Sequence, residues 1–452
     1  MLDTGDPNPH WFNYPSLYLY ATALVLGAGR LLAPASLGTL ELQGLLYLIG
    51  RGLTAACGTA TVYLIFLTGR RLSGVAAGLA AGLVLALAPL HSANSHFITT
   101  DVPAGLFVAL SLWLAARGRR GSQGWLVASA AAAGLAAATK YNAGLALFVP
   151  LAFWATGRAG TTRHWRTPLL VGAAALAGFL VAMPWLLLDR GTVLSGIRFE
   201  IEHYRGGHEG FEGSDNWRFY PLYLFTDGLT PGLALFAVAG WVLLLARDRW
   251  LCLALSAFAL AYYALLAGQT VRFERNLVPL LPLLAIFAGL ALAEAVRAVS
   301  VALPLAPQRA AGAAVLLALV GGWPLYRTTR YDYLMSQTDT RTTAATWMDR
   351  NLPAGATLCQ EAYAPPVDSA RFVLSNTWAL ANEPLSAYRG RGCDYLVASS
   401  LMYGRYVSQP ERYPAKAAFY SELFASWPLV AKFSGHPLPV HDPVIRVYSV
   451  PR

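Results

Sequence analysis

Long apolar runs broken by short polar loops fill the first three quarters of the chain. Ten such runs stand out: 44–67, 73–90, 102–116, 124–139, 143–157, 168–188, 231–247, 250–267, 277–296 and 311–325. A helix needs about 20 apolar residues to cross a bilayer, so the pattern predicts ten spanning helices. Several runs are short and rich in Ala and Gly, small residues that let helices pack closely. One more apolar stretch, 16–34, follows Pro15 and carries Tyr18, Tyr20 and Arg30. Those residues favour an interfacial or re-entrant helix over a true span, which stays the alternative.

The loops sort themselves by charge. Arg70 and Arg71; Arg117, Arg119 and Arg120; Arg158, Arg163 and Arg166; Arg247 and Arg249; and Arg297 and Arg309 fall in every second loop, opposed only by Asp248. The positive-inside rule makes these loops cytoplasmic. The alternate loops, 91–101, 140–142, 189–230 and 268–276, are then outside, as are residues 1–43 and everything beyond about 326. The predicted organisation is an outer segment with an interfacial helix at 1–43, a transmembrane domain at 44–325 and an extracytoplasmic domain at 326–452.

The last part reads differently. Asp339 suits the cap of a helix running to Arg350. Short strand-like runs recur at Thr357–Cys359, Arg371–Leu374, Tyr395–Ala398 and Val444–Val450, with a helix around Ala415–Ser426. This predicts a small α/β domain.

Composition narrows the classes. Only 13% of the 452 residues are charged, against roughly 25% in soluble domains, which excludes a soluble protein. The net charge of +10 lies mostly in the short loops, a pattern of membrane orientation and not of a nucleic-acid surface. No basic region precedes Asp3 and Asp6 to make a signal peptide. No phosphate-cradling glycine loop is present, so no nucleotide cofactor is expected. Cys57 and Cys252 fall in apolar runs as small hydrophobes. Cys359 and Cys393 lie in the outer domain, where a disulfide is permitted but not required.

Polar residues at the outer ends of the spans carry the candidate chemistry. HSANSHFITTD, 91–101, offers His91, His96 and Asp101, with Asp101 at a helix start before Pro103. TKYN, 139–142, holds Lys140, the only lysine before the C-terminal domain, beside Tyr141. A snorkelling anchor is the plain reading of Lys140; a phosphate-binding cation is the sharper one. The long loop 200–220 carries His203, Arg205, His208, Glu209 and Asp215 with glycine pairs that suit a lid. VRFERNLVPLLP, 271–282, adds Arg272 and Arg275, which could grip phosphate bidentately. All four groups lie on one side. They suit a substrate with a lipid tail, a phosphate and a sugar.

These residues resemble a known family. GDPNPHWFNYPSLYLY, an Arg51-containing span ending in GRRL, HFITTDVP, ATKYNA and RFERNLVPLLPLLA occur in the order seen in polytopic GT-C glycosyltransferases, the group that holds protein O-mannosyltransferases and lipid A aminoarabinose transferases. The resemblance implies transfer of a sugar from a polyprenyl phosphate to a glycan, lipid or protein acceptor at the outer face of the membrane, with a bacterial plasma membrane as the expected location. It places Asp101 at the donor or metal site, with His91 and His96 beside it, and Lys140, Tyr141, Arg272 and Arg275 near the donor phosphate. It also leaves room for a divalent metal. It expects a catalytic acidic residue and a first span ahead of Met1. Either the chain continues upstream or the usual base is lacking, in which case a non-catalytic lipid-binding protein gains weight. A lipid-linked-sugar flippase is the other rival, and it predicts polar residues along the middle of the spans.

Overall fold

The computed structural model describes residues 2, 4–119, 122–157, 164–213, 215–435 and 441–451. Asp3, Arg120, Arg158 and Arg163, used in the charge reading, lie outside the described residues. The chain forms two compact units, residues 1–207 with 213–328 and residues 208–212 with 329–452.

The first unit is helical, and each apolar run lies on a helix. Run 44–67 falls within Thr39–Ser73, 231–247 is the helix Pro231–Arg247, and 250–267 lies within Arg249–Ala267. Run 73–90 is bent by 62° between Val75–Leu87 and Pro89–Ser95. Two others open with 3-10 turns, Tyr141–Leu147 before Phe148–Thr156 and Glu274–Leu280 before Leu281–Ala302. Among the described residues, four helices are long and apolar enough to cross a membrane, or six if each bent pair is one span. The shorter apolar helices include Gly124–Thr139, which stops at Lys140, and Thr167–Ala182, which stops just before Pro184.

Small residues set the packing. A Cβ on Gly134 would lie 2.1 Å from the Ala175 carbonyl oxygen, and one on Gly240 only 1.8 Å from that of Phe287. At these crossings backbone touches backbone, which only glycine permits. The first half of Leu281–Ala302 is buried among its neighbours.

The segment Asn8–Tyr20 is tied down by side chains. Asn8 Nδ2 donates to Asp189 at 2.9 Å, Ser16 Oγ to the Ala182 carbonyl at 2.9 Å, and the Tyr18 and Thr54 hydroxyls meet at 2.5 Å. Tyr141 Oη donates to the Phe12 carbonyl at 2.9 Å. Polar groups that would be orphaned near an apolar phase thereby find partners.

The second unit is a five-stranded sheet of order β2-β1-β3-β5-β4, with β1 Thr357–Gln360, β2 Val373–Asn376, β3 Tyr395–Ser399, β4 Leu429–Phe433 and β5 Ile445–Ser449. Strand β1 pairs in parallel with β2 and β3, while β5 pairs antiparallel with β3 and β4. Helices Thr340–Asn351, Ser400–Val407 and Pro414–Ser426 cover it. Asp339 caps the first of these, accepting from Arg341 N at 2.8 Å. Cys359 and Cys393 form a disulfide with Cα atoms 5.9 Å apart, within the usual range.

Candidate functional site

Three interruptions of helix converge in the first unit. Asp101 opens the helix Asp101–Gly118. Lys140 ends Gly124–Thr139 in an extended conformation, φ −150° and ψ 121°. Asn276 sits in the 3-10 turn Glu274–Leu280. Breaks of this kind aim side chains sideways between helices instead of along them.

There Lys140 Nζ donates to Asp101 Oδ1 at 2.5 Å and to Asn276 Oδ1 at 2.6 Å. The Lys140 and Asp101 side chains are 6% and 3% exposed. Arg275 Nε lies 3.9 Å from the other Asp101 oxygen, with its side chain 40% exposed. Asn276 is held in place through its carbonyl, which accepts from Tyr262 Oη at 3.0 Å. A buried ion pair stabilises weakly, since desolvation offsets most of its attraction. One kept among apolar helices is therefore a functional candidate first. The Tyr220 and Tyr204 hydroxyls both interact with the Asn276 side chain.

Glu200, on the helix Arg190–Gly206, lies in the electrostatic field of the same cations. Its carboxyl is pushed up to about 6 by burial, while the positive charges of Lys140 and Arg275 pull it down. Tyr14 is held above its ordinary value by burial, again against Arg275 and Lys140. Tyr204 is raised to about 12, mainly by burial. Its carbonyl accepts from Thr270 N at 3.0 Å, which fastens the helix end to the segment leading into Arg272 and Arg275.

The other sequence candidates scatter. His91 is buried, with Nε2 3.3 Å from the Gly58 carbonyl, and His96 ends the short helix Pro89–Ser95. Neither joins Asp101 in a three-donor group, and both Asp101 oxygens face cations. A divalent ion there would meet the Lys140 ammonium and the Arg275 guanidinium, so the residues do not fit a metal in this arrangement. The one such group among the described residues is Asp339, His441 and Asp442, whose donor atoms lie within 4.8 Å of one another. Asp339 already takes the Arg341 guanidinium at 2.7 Å, and Asp442 accepts from Thr340 N at 3.0 Å. Arg272 stacks on Phe219 at 4.4 Å.

The long-loop residues divide between the units. His203 and Arg205 end the helix Arg190–Gly206, and Asp215 caps Asn216–Tyr223. His208 and Glu209 belong to the second unit, where His208 meets Arg405 at 3.1 Å and Glu209 meets Lys416 at 2.7 Å. Asn276 carries no charge to mark it, and it lies between Arg275 and the apolar run 277–296. Glu200 is one of many charges in the polar loop 200–220. The signal available for Asn276 was its place between Arg275 and two prolines.

Residues 42–188 match the family described as dolichyl-phosphate-mannose-protein mannosyltransferase. No curated protein sequence is matched. Among solved structures, ArnT from Cupriavidus metallidurans in the apo state aligns over 99% of this chain and 91% of its own, with 18% identity and a TM-score of 0.58. The same protein bound to undecaprenyl phosphate aligns over 97% and 88%, with 18% identity and a TM-score of 0.57. The Archaeoglobus fulgidus oligosaccharyltransferase tethered with an acceptor peptide aligns over 97% of this chain and 66% of that one, with 13% identity and a TM-score of 0.55. That oligosaccharyltransferase is also known in complex with Zn and sulfate.

Proposed function

Starting from an integral membrane protein with the fold of GT-C glycosyltransferases, we propose that it moves a sugar from a polyprenyl-phosphate carrier to an acceptor at the outer face of the membrane. The observation that carries this reading is the buried Lys140–Asp101–Asn276 cluster with Arg275 at its rim. A phosphate on a lipid tail needs cations at the depth of the membrane surface, and it gains most from them where water is scarce.

In this reading the half-exposed Arg275 meets the phosphate first, and Lys140 supports it from behind. Asp101 and Asn276 hold the ammonium in one place, so no reorganisation is needed at the moment of reaction. The acceptor oxygen attacks the anomeric carbon. The bond from that carbon to the phosphate oxygen breaks, and its electron pair stays on the phosphate, which the cations stabilise. The acceptor's proton must also leave. Glu200, with its carboxyl near 6 and facing the same cations, has the environment for such an exchange at neutral pH. No step is assigned to a metal.

The Cys359–Cys393 disulfide supports an outward location for the second unit, since such bonds persist in oxidising compartments. The alternating arginine loops give the same orientation.

The test is binding and transfer in native membranes. Arg275→Ala should weaken capture of radiolabelled polyprenyl phosphate about tenfold, and Asp101→Asn should abolish sugar transfer in a folded protein. Unchanged lipid-phosphate capture in Arg275→Ala, or near-normal transfer in Asp101→Asn, would remove this cluster from the reaction.

A further inference from the structure

The second unit holds a cleft of about 470 Å³ that the reaction above does not use. It lies beyond the carboxyl ends of β1 and β2, between the residues that follow each strand. In open sheets with parallel strands, ligands favour the carboxyl edge, where strand order reverses. Here the chain runs from β1 to its neighbour β2 and then passes over β1 to β3, so order reverses at β1 and the cleft opens on the β2 side of that strand.

The walls are fixed. Thr377 N donates to the Gln360 carbonyl at 3.0 Å and Ala362 N to that of Trp378 at 3.2 Å, so the parallel pairing continues past the strands. Glu361 is buried behind them. Its carboxylate accepts from Ser399 N at 2.8 Å, Leu380 N at 3.0 Å and Tyr420 Oη at 2.5 Å, which joins the ends of β1 and β3.

Against this rigid frame stand two aromatic rings that are not buried. Tyr363 is 39% and Trp378 46% exposed, with centroids 6.3 Å apart. Tyr363 has a φ of +63°, a backbone conformation that a bulky residue adopts only where the surroundings enforce it, and such strain collects at binding sites. Arg405, 8% exposed, explains why both rings are held. Its guanidinium sits 5.5 Å from the Tyr363 ring centroid and 5.4 Å from that of Trp378, and it donates to Tyr363 Oη at 3.3 Å. No carboxylate among the described residues pairs with it. Its own position is fixed by the Leu401 carbonyl at 2.8 Å and His208 at 3.1 Å, and cation–π attraction then holds the two rings.

Side-chain amides and a hydroxyl complete the cleft: Gln360, Asn376 and Thr377. Gln360 Oε1 is shut off from solvent and has no partner among the described residues. Exposed ring faces beside amides match a ligand with an apolar C–H face and a rim of hydroxyls. A peptide would call for groups to pair a whole backbone, and the cleft offers three side chains at one end.

We propose that this cleft binds a saccharide, with one pyranose face stacked on Trp378 and its hydroxyls held by Gln360 and Asn376. The cleft residues belong to the second unit and the Lys140 cluster to the first, and the proposal does not rest on the reaction assigned to that cluster.

The test uses the full chain in detergent micelles and saturation-transfer NMR with the methyl glycosides of glucose, mannose, galactose, N-acetylglucosamine and galacturonic acid. At least one sugar should receive saturation at the C–H protons of a single ring face. Trp378→Ala should weaken that binding about tenfold, equivalent to roughly 1.4 kcal/mol. Trp378→Phe should keep most of it, Gln360→Ala should weaken it, and Arg275→Ala should leave it unchanged. No transfer to any of the five sugars would overturn the proposal, as would transfer that survives Trp378→Ala or disappears with Arg275→Ala.

Discussion

Replacing Lys140 by methionine keeps the length and apolar character of the side-chain stem and deletes the charge. Asp101, 3% exposed, then loses the ammonium 2.5 Å away, and Asn276 loses its donor at 2.6 Å. Breaking a buried pair from one side costs about 3–5 kcal/mol, because the remaining charge stays buried and uncompensated. Arg275, 3.9 Å from the second Asp101 oxygen, retains some attraction, which places the expected loss at the lower end, about 3 kcal/mol, or roughly a 150-fold change in the unfolding equilibrium. The protein supplies its own reporters. Cys252 is buried, Cys57 is half-buried, and neither is bonded, so a thiol-reactive dye reads the opening of the helical unit during denaturation. Adding Asp101→Asn to Lys140→Met should recover about 1–3 kcal/mol, the coupling expected of directly bonded groups. A Lys140→Met protein within about 0.5 kcal/mol of the native one, the range of an ordinary surface change, would refute the reasoning. Strictly additive effects of the two substitutions would refute it as well.

Other outcomes follow from the same physics. Cys393→Ser opens a loop whose ends are 34 residues apart and should cost the second unit about 4 kcal/mol by the chain-entropy estimate; limited proteolysis of that unit should accelerate, and an unaltered rate would count against a structural role for the bond. Gly240→Ala drives a methyl to 1.8 Å from the Phe287 carbonyl oxygen, so the two helices must separate at a cost of about 1–3 kcal/mol, read by the same dye. Glu200 holds its proton more tightly in the folded chain than its ordinary value of 4.5 allows, with a carboxyl near 6. Its contribution to stability therefore falls as pH rises through about 4.5 to 6, and Glu200→Gln should flatten denaturation profiles across that window. A profile unchanged in shape would show that Glu200 is not desolvated as described.

The helices were legible because hydropathy is a strong signal where every backbone polar group must be satisfied within a helix. Run 231–247 coincides with the helix Pro231–Arg247, with Pro at its start and Asp248 just past its end. The strands were legible where β-branched and aromatic residues clustered, as at Tyr395–Ser399. Leu429–Phe433 escaped notice because its LVAKF pattern is half exposed and sits at the sheet edge. At the site, Asp101, Lys140 and Arg275 stood out as charges in apolar surroundings, and the structure brings these three together. His91 carried the same signal but meets the Gly58 carbonyl instead, since spacing along the chain says nothing about which way the bent pair Val75–Leu87 and Pro89–Ser95 faces. The disulfide was open from sequence. It depends on β1 and the approach to β3 lying side by side, which only the sheet order decides. The split of the long loop between two units was equally hidden, because its glycines and charges read as one polar segment.

The bonds that seat the segment Asn8–Tyr20 also impose an order in time. Asn8 and its partner Asp189 are 181 residues apart, and Ser16 and Ala182 are 166 apart. At about 5–20 residues per second, the ribosome needs roughly ten to forty seconds to supply those partners. The segment Asn8–Tyr20 is thus fastened only well after it has been made, and until then the helix Ser16–Leu32 must wait beside a bundle that is still incomplete.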